Sequence, residues 1–260
     1  DDKGLEGVEL AFQSQLLGHP GSRSVIKDRR GQIVEDVGSI KQPQDGKDIR
    51  LSLDSKIQYL AYSYLKQAVN DYKAKAGGVV VLDAKTGEIL ALANWPTYNP
   101  NNREHLNGAQ LRNRALTDTY EPGSVFKAIT AAAAIEEGVI TPDTPVYCKP
   151  VSLAGHTINC WWKGGHGSED FTHAVYNSCN PVFVNTALKL GIDKFYQYVR
   201  MFGFQERTGV ELQGEPTNEE YKNLWHSDPK EIDLAVSSFG QRFQITPIQL
   251  ITAYSAIANG

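Results

Sequence analysis

Apolar positions along this chain recur with two different periods, and together they predict alternating strands and helices. Ile49-Arg-Leu-Ser-Leu53 alternates apolar and polar residues and reads as a strand. Asp54 is a good N-cap for a helix with apolar positions at Ile57, Leu60, Ala61, Tyr64, Leu65 and Ala68. Two alternating runs, Val79–Leu82 and Glu88–Leu92, flank Asp-Ala-Lys-Thr-Gly and predict a hairpin over 78–94. A loop rich in Asn and Pro follows. After the Pro122-Gly123 break, Phe126–Ile135 is apolar and alanine-rich and Gly138 is a stop, which predicts a buried helix starting at Ser124. Thr172 and Asn180 can each open a helical segment, the second closed by Gly191. Asp193–Phe202 is amphipathic and stops at Gly203. Thr246-Pro247 forms an N-cap and N1 pair for a helix ending near Asn259-Gly260. Residues 1–47 are polar, with turns at Gly18–Gly21 and Asp28–Gly31.

Composition adds little beyond a boundary. With 260 residues, 41% of them hydrophobic, there is ample material for a core. A formal net charge of -4 argues against nucleic-acid binding as the main task. No apolar run approaches the ~18 residues of a membrane span, and no signal peptide, internal repeat or low-complexity segment is visible.

The candidate chemistry lies at Ser124 and Lys127, spaced i and i+3 just after the Pro-Gly break. An amine one helical turn away can accept the hydroxyl proton and make the serine a nucleophile. A serine at a helix N-terminus also sits in a positive field beside free main-chain N–H groups. Ser178-Cys179-Asn180 supplies a second hydroxyl and a carboxamide, suited to proton relay and to holding a substrate amide. The S-x-x-K pattern alone decides nothing, because Ser24/Lys27, Ser63/Lys66 and Ser227/Lys230 repeat it in ordinary polar or turn contexts. Lys85-Thr86-Gly87 is read as the hairpin turn, since it lies between two strands and ahead of Ser124.

These two segments resemble the S-x-x-K and S-x-N motifs of the penicillin-recognising serine enzymes. The likeness extends over nearly the whole chain. Gly77–Asn94 is similar to the first hairpin of a class B penicillin-binding protein transpeptidase domain. Tyr98-Asn-Pro100, Arg112–Asp118, Cys160-Trp-Trp, Gly164-Gly-His-Gly167, Ser238-Phe-Gly-Gln241 and Ile245–Leu250 add to it. Residues 1–120 look most like proteobacterial division transpeptidases, and the chain from about Ser124 looks more like clostridial or sporulation-type relatives. That mixture suits either a divergent lineage or a chimera.

The resemblance implies an α/β (α+β) fold with helices packed on an antiparallel sheet. It implies that residues 1–47 end a non-catalytic pedestal module and that 48–260 belong to the transpeptidase domain. Ser124 is expected to be the acylated nucleophile and, through its N–H, an oxyanion donor. Lys127 is expected to be the base, with its pKa depressed by burial. Ser178 would relay the proton, and Asn180 would hold the substrate backbone. The implied partners are peptidoglycan stem peptides, β-lactams and a glycosyltransferase of the cell-wall machinery; no cofactor is implied. The implied location is the extracytoplasmic face of a bacterial membrane, through an N-terminal anchor outside this chain. The family's third motif, K-T-G, is expected beyond Gly260, so the chain reads as a fragment with an incomplete sheet and weak activity of its own. Two rivals are a serine β-lactamase, for which Glu104–Asn107 is the nearest carboxylate motif but precedes Ser124, and a catalytically silent scaffold.

Three cysteines leave at least one unpaired. Cys148, His156, Cys160 and His166 could bind zinc, but their spacing matches no common finger, so no metal is expected. A Cys148–Cys160 disulfide fits the extracytoplasmic setting that the resemblance implies, and two packed free thiols are the other reading. Cys179 reads as a small core residue.

Overall fold

The computed structural model describes residues 3–260. The chain divides into two units, Asp1–Ser52 with Val210–Gln213, and Leu53–Gly209 with Gly214–Gly260. In the first unit, two short helices, α1 (Gly7–Ala11) and α2 (Gln13–Leu16), precede an antiparallel hairpin of β1 (Ser22–Lys27) and β2 (Ile33–Lys41). Its turn forms because Asp28 Oδ1 accepts from the N–H groups of Arg30 and Gln32 at 2.8 and 2.9 Å. Ile49–Leu53 is not a strand. Its alternation suits an extended chain, but no ladder partner lies beside it among the described residues.

The second unit opens with α3 (Ser55–Asp71), capped as expected by Asp54, whose side chain accepts from the N–H groups of Lys56 and Ile57. Its buried stripe is Leu65 and Val69, packed with Ala61 and Tyr62 against Val79, Ala93 and Trp95 of the next hairpin. Leu60 and Tyr64, expected on that stripe, are 48% and 67% exposed. The helix carries more apolar residues than one hairpin can cover. That hairpin pairs β3 (Gly77–Leu82) with β4 (Ile89–Trp95), Val80 lying opposite Leu92. Gln58 satisfies the main chain of Leu92, donating to its carbonyl at 2.9 Å and accepting from its N–H at 2.8 Å. Lys85-Thr86-Gly87 lies in the exposed turn, where Asp83 Oδ1 accepts from the N–H groups of Lys85 and Thr86.

Two one-turn helices, α4 (Gly108–Leu111) and α5 (Arg114–Thr117), lead to Asp118, which is held by Arg112 at 2.6 Å and Arg114 at 3.1 Å. A 3-10 turn (Gly123–Phe126) then runs into α6 (Lys127–Glu136). Strand β5 (Pro145–Cys148) pairs with β8 (Gly167–Asp170), and between them β6 (Val151–Leu153) pairs with β7 (His156–Ile158). Helix α7 (Phe171–Tyr176) is capped by Asp170, not opened by Thr172, because the Asp170 carboxylate accepts from the His173 N–H. Helix α8 (Asn180–Leu190) is the most buried, with Val182, Phe183, Val184, Ala187 and Leu190 inside, and ends at Gly191. Helices α9 (Ile192–Met201), α10 (Asn218–Asn223), α11 (Glu231–Ser237) and α12 (Pro247–Asn259) complete the unit. Thr246 caps α12 in a reciprocal pair with Gln249. Among the described residues, no helix is long and apolar enough to cross a membrane.

Candidate active site

Ser124 does not begin an α-helix. It lies in the 3-10 turn, and the Lys127 N–H donates to the Ser124 carbonyl. In such a turn positions i and i+3 share a face, which puts Ser124 and Lys127 on the same side of it. Ser124 is exposed, whereas Lys127 is 4% exposed. Between them Phe126 is fully buried and acts as the anchor. Its ring meets Phe195, Phe204, Trp225 and Phe243 at centroid distances of 4.8–6.3 Å. Burying a side chain of that size contributes about 1.5–3 kcal/mol, which ties the turn to the core.

A second segment fixes the turn from the other side. Tyr120 and Ile245 exchange two main-chain hydrogen bonds, each 3.0 Å. The Gly123 N–H donates to the Gly240 carbonyl at 2.8 Å. Glu121 accepts from the Arg242 N–H at 2.9 Å, and Thr130 Oγ1 donates to the Ser238 carbonyl at 2.9 Å. Tyr254 of α12 donates to the Val125 carbonyl. The Ser238-Phe-Gly-Gln241 segment thus backs the Ser124 turn.

Lys127 reaches across to the α7–α8 junction. Its Nζ donates to the Ser178 carbonyl at 2.7 Å, to Ser178 Oγ at 2.8 Å and to Asn180 Oδ1 at 2.6 Å. It also lies 5.3 Å from the centre of the Phe183 ring. Burial pushes Lys127 down from 10.5 to about 8, partly offset by the nearby sulfur atoms of Cys179 and Cys160. A neutral amine has two N–H donors and one lone pair. Of the three neighbours only Ser178 Oγ carries a proton, so the carbonyl and the carboxamide take the donors and leave the lone pair free for a hydroxyl.

Ser178 owes its placement to a helix ending. The Cys179 N–H donates to the Ala174 carbonyl and the Ser178 N–H to the Val175 carbonyl, both at 3.0 Å, which is a Schellman pattern. Its left-handed position, usually glycine, is Ser178 with φ 52°. The strain, on the order of 1–2 kcal/mol, turns both oxygens of Ser178 onto Lys127. Cys179 then caps α8, and Asn180 and Pro181 are its first residues.

All three cysteines are unpaired. Cys148, Cys160, Cys179 and His166 converge, with their ligand atoms all within 4.8 Å of one another. His156, which the spacing had grouped with them, is an exposed residue of β7 outside this cluster. Cys179 takes that place, and no local spacing signals this because it comes from a different element.

Two sequence families correspond to these features. The penicillin binding protein transpeptidase domain matches residues 77–260, and the penicillin-binding protein dimerisation domain matches residues 1–51. The chain belongs to the penicillin-binding protein transpeptidase family. With the dimerisation match ahead of it, it is a class B penicillin-binding protein. Stage V sporulation protein D of Bacillus subtilis is 35% identical over the full chain, which covers 40% of that protein. The peptidoglycan D,D-transpeptidase FtsI of Escherichia coli is 34% identical, again over the full chain and 43% of that protein. Among solved structures, penicillin-binding protein 2X of Streptococcus thermophilus superposes with a TM-score of 0.85 at 27% identity, over 99% of this chain and 38% of that one. The chain thus spans less than half the length of these curated relatives.

Proposed function

We propose that this penicillin-binding protein cross-links peptidoglycan stem peptides through an acyl-enzyme on Ser124. The observation that carries the reading is Lys127, a buried amine held by Ser178 and Asn180 and placed one 3-10 turn after an exposed serine. Ser124 Oγ attacks the carbonyl carbon of a D-Ala–D-Ala amide while its proton passes to Lys127. The Ser124 N–H faces the developing oxyanion. The tetrahedral intermediate breaks its C–N bond, Ser178 hands its proton to the leaving amine and takes the one held by Lys127, 2.8 Å away, and the terminal D-Ala departs. An amine from a neighbouring stem peptide then attacks the ester, forms the cross-linking amide and returns the proton to Ser124. Asn180, whose Oδ1 is taken up by Lys127, holds the substrate backbone in line. β-Lactams carry a strained amide into the same site and acylate the same serine.

In this reading residues 1–47 end a non-catalytic module and 48–260 belong to the transpeptidase domain. The protein works at the extracytoplasmic face of the membrane beside a glycosyltransferase of the cell-wall machinery. Labelling with fluorescent penicillin, followed by peptide mass spectrometry, tests the assignment. The adduct should map to Ser124 and vanish in Ser124→Ala. An adduct at Ser24, Ser63 or Ser227 would overturn it.

A further inference from the structure

We propose that Cys148, Cys160, His166 and Cys179 form a Cys3His site for a zinc ion. Its role would be to lock the Ser178-Cys179-Asn180 turn onto Lys127. The second half rests on the transpeptidase reading of that turn; the metal site itself does not.

Two of the donor–donor distances already match a tetrahedral site. A zinc ion with bonds of ~2.3 Å to sulfur and ~2.0 Å to nitrogen implies donor–donor edges of about 3.5 Å for S–N and about 3.8 Å for S–S. His166 Nδ1 lies 3.6 Å from Cys148 Sγ and 3.4 Å from Cys160 Sγ. The Cys148 and Cys179 sulfurs are 2.7 Å apart. That is longer than the ~2.05 Å of a disulfide and shorter than a tetrahedral edge, so this pair opens by about 1 Å when a cation enters. Three thiolates and an imidazole are a soft donor set that favours zinc over calcium or magnesium. Four protein ligands close the coordination sphere, the pattern of a structural site.

The surroundings are built for the cluster. Cys148 and Cys179 are 4% and 0% exposed. Gly165 has φ 64°, and a Cβ there would lie 2.7 Å from the Cys148 carbonyl oxygen. Only glycine lets the loop between β7 and β8 come close enough to aim His166 at the sulfurs. Trp161 packs against His166 at a centroid distance of 5.7 Å and donates from its Nε1 to the Asn177 carbonyl at 2.8 Å, one residue before Ser178. The ligands come from three separate parts of the unit: the end of β5, the β7–β8 loop and the cap of α8. A metal there staples all three to the strained Ser178 turn.

The test is zinc content of the protein purified under reducing conditions, with zinc titrated alone into metal-stripped protein. A single equivalent per chain is expected, with thiolate-to-metal charge-transfer absorption when cobalt replaces it. His166→Ala and Cys160→Ser should lose it, and His166→Cys should keep it. Amide hydrogen exchange at Asn177–Val182 should be slower in the loaded protein. Penicillin acylation should fall on the order of 10–100-fold on stripping, the range seen when metal-site support is removed. No zinc uptake by folded wild-type protein, or a disulfide between any two of the cysteines in peptide maps, overturns the site. So does zinc retained by both His166→Ala and Cys160→Ser. Equal exchange in loaded and stripped protein overturns the positioning role. Zinc bound with no penicillin labelling in either form sinks the transpeptidase reading and leaves the metal site standing.

Discussion

Ser178 receives Lys127 through two of its atoms at once, its carbonyl oxygen at 2.7 Å and its hydroxyl at 2.8 Å. That is possible because Ser178 holds a left-handed backbone, φ 52°, at the end of α7. Conformation and chemistry can therefore be separated by one substitution. Ser178→Gly keeps the left-handed turn and relieves strain of ~1–2 kcal/mol, against an unfolded-state entropy penalty of ~0.5–1 kcal/mol. Unfolding free energy should stay within about 1 kcal/mol of the parent. Penicillin acylation should fall by on the order of 10²-fold or more, the usual contribution of a proton-transfer group. Parent-like acylation by Ser178→Gly would show that only the carbonyl matters.

The depressed pKa of Lys127 sets a pH dependence with a definite sign. Burial lowers it to about 8, so the neutral, proton-accepting fraction grows as pH rises through that value. Acylation should climb about tenfold per pH unit below 8 and level off above it. Stability follows by linkage. The unfolded lysine holds its proton up to 10.5, so between about 8 and 10.5 the unfolded state binds more protons and Lys127 contributes rising stability with pH. Lys127→Arg keeps the charge at every useful pH, so its acylation should drop by ~10²–10⁴-fold. A rate that stays flat from about pH 6.5 to 9 would remove Lys127 as the base.

Much of this was legible in the sequence, for identifiable reasons. Asp54 and Thr246 cap helices through bonds to residues two or three positions away, and such local bonds leave a local signature. The β3–β4 hairpin showed in its alternation, and Lys85-Thr86-Gly87 showed as its turn. Ile49–Leu53 carried the same alternation without becoming a strand, because a ladder needs a partner that the segment does not contain. The S-x-x-K spacing pointed to Ser124 and Lys127, but not to the 3-10 winding, which local spacing does not distinguish from an α-turn. The left-handed Ser178 was not visible, since serine rarely occupies a position that glycine favours. The place of Cys179 beside Cys148, 31 residues away, is a product of packing alone.

The turn reading of Lys85-Thr86-Gly87 has its own test. Among the described residues Thr86 bonds only locally, its N–H donating to Asp83 at 3.0 Å and its hydroxyl donating to Glu88 at 3.1 Å and accepting from the Glu88 N–H at 3.2 Å. Exchanging Lys85 and Thr86 for Asn and Ser, with Gly87 kept, should leave penicillin acylation unchanged. Stability should move by no more than ~0.5 kcal/mol, as for exposed positions generally. A large loss of acylation with the fold intact would give this turn a catalytic part.

Gly240 offers the sharpest test of how the Ser124 turn is held. It has φ 83°, and a Cβ there would fall 2.0 Å from the Gly123 carbonyl oxygen, one residue before Ser124. Gly240→Ala therefore pays left-handed strain of ~1–2 kcal/mol and overpacking of ~1–3 kcal/mol. The second can be relieved only by pushing Gly123 away and breaking its 2.8 Å bond to the Gly240 carbonyl. Gly203, with φ 79° and nothing within 4 Å of its Cβ position, is the control that pays strain alone. In chemical denaturation Gly240→Ala should lose more stability than Gly203→Ala by about the overpacking cost. In the fraction that remains folded, acylation should fall by on the order of 10²-fold, the penalty for misplacing a reacting group by ~1 Å. Gly203→Ala should acylate normally. If the two variants acylate alike, the Ser238–Gln241 segment does not position Ser124.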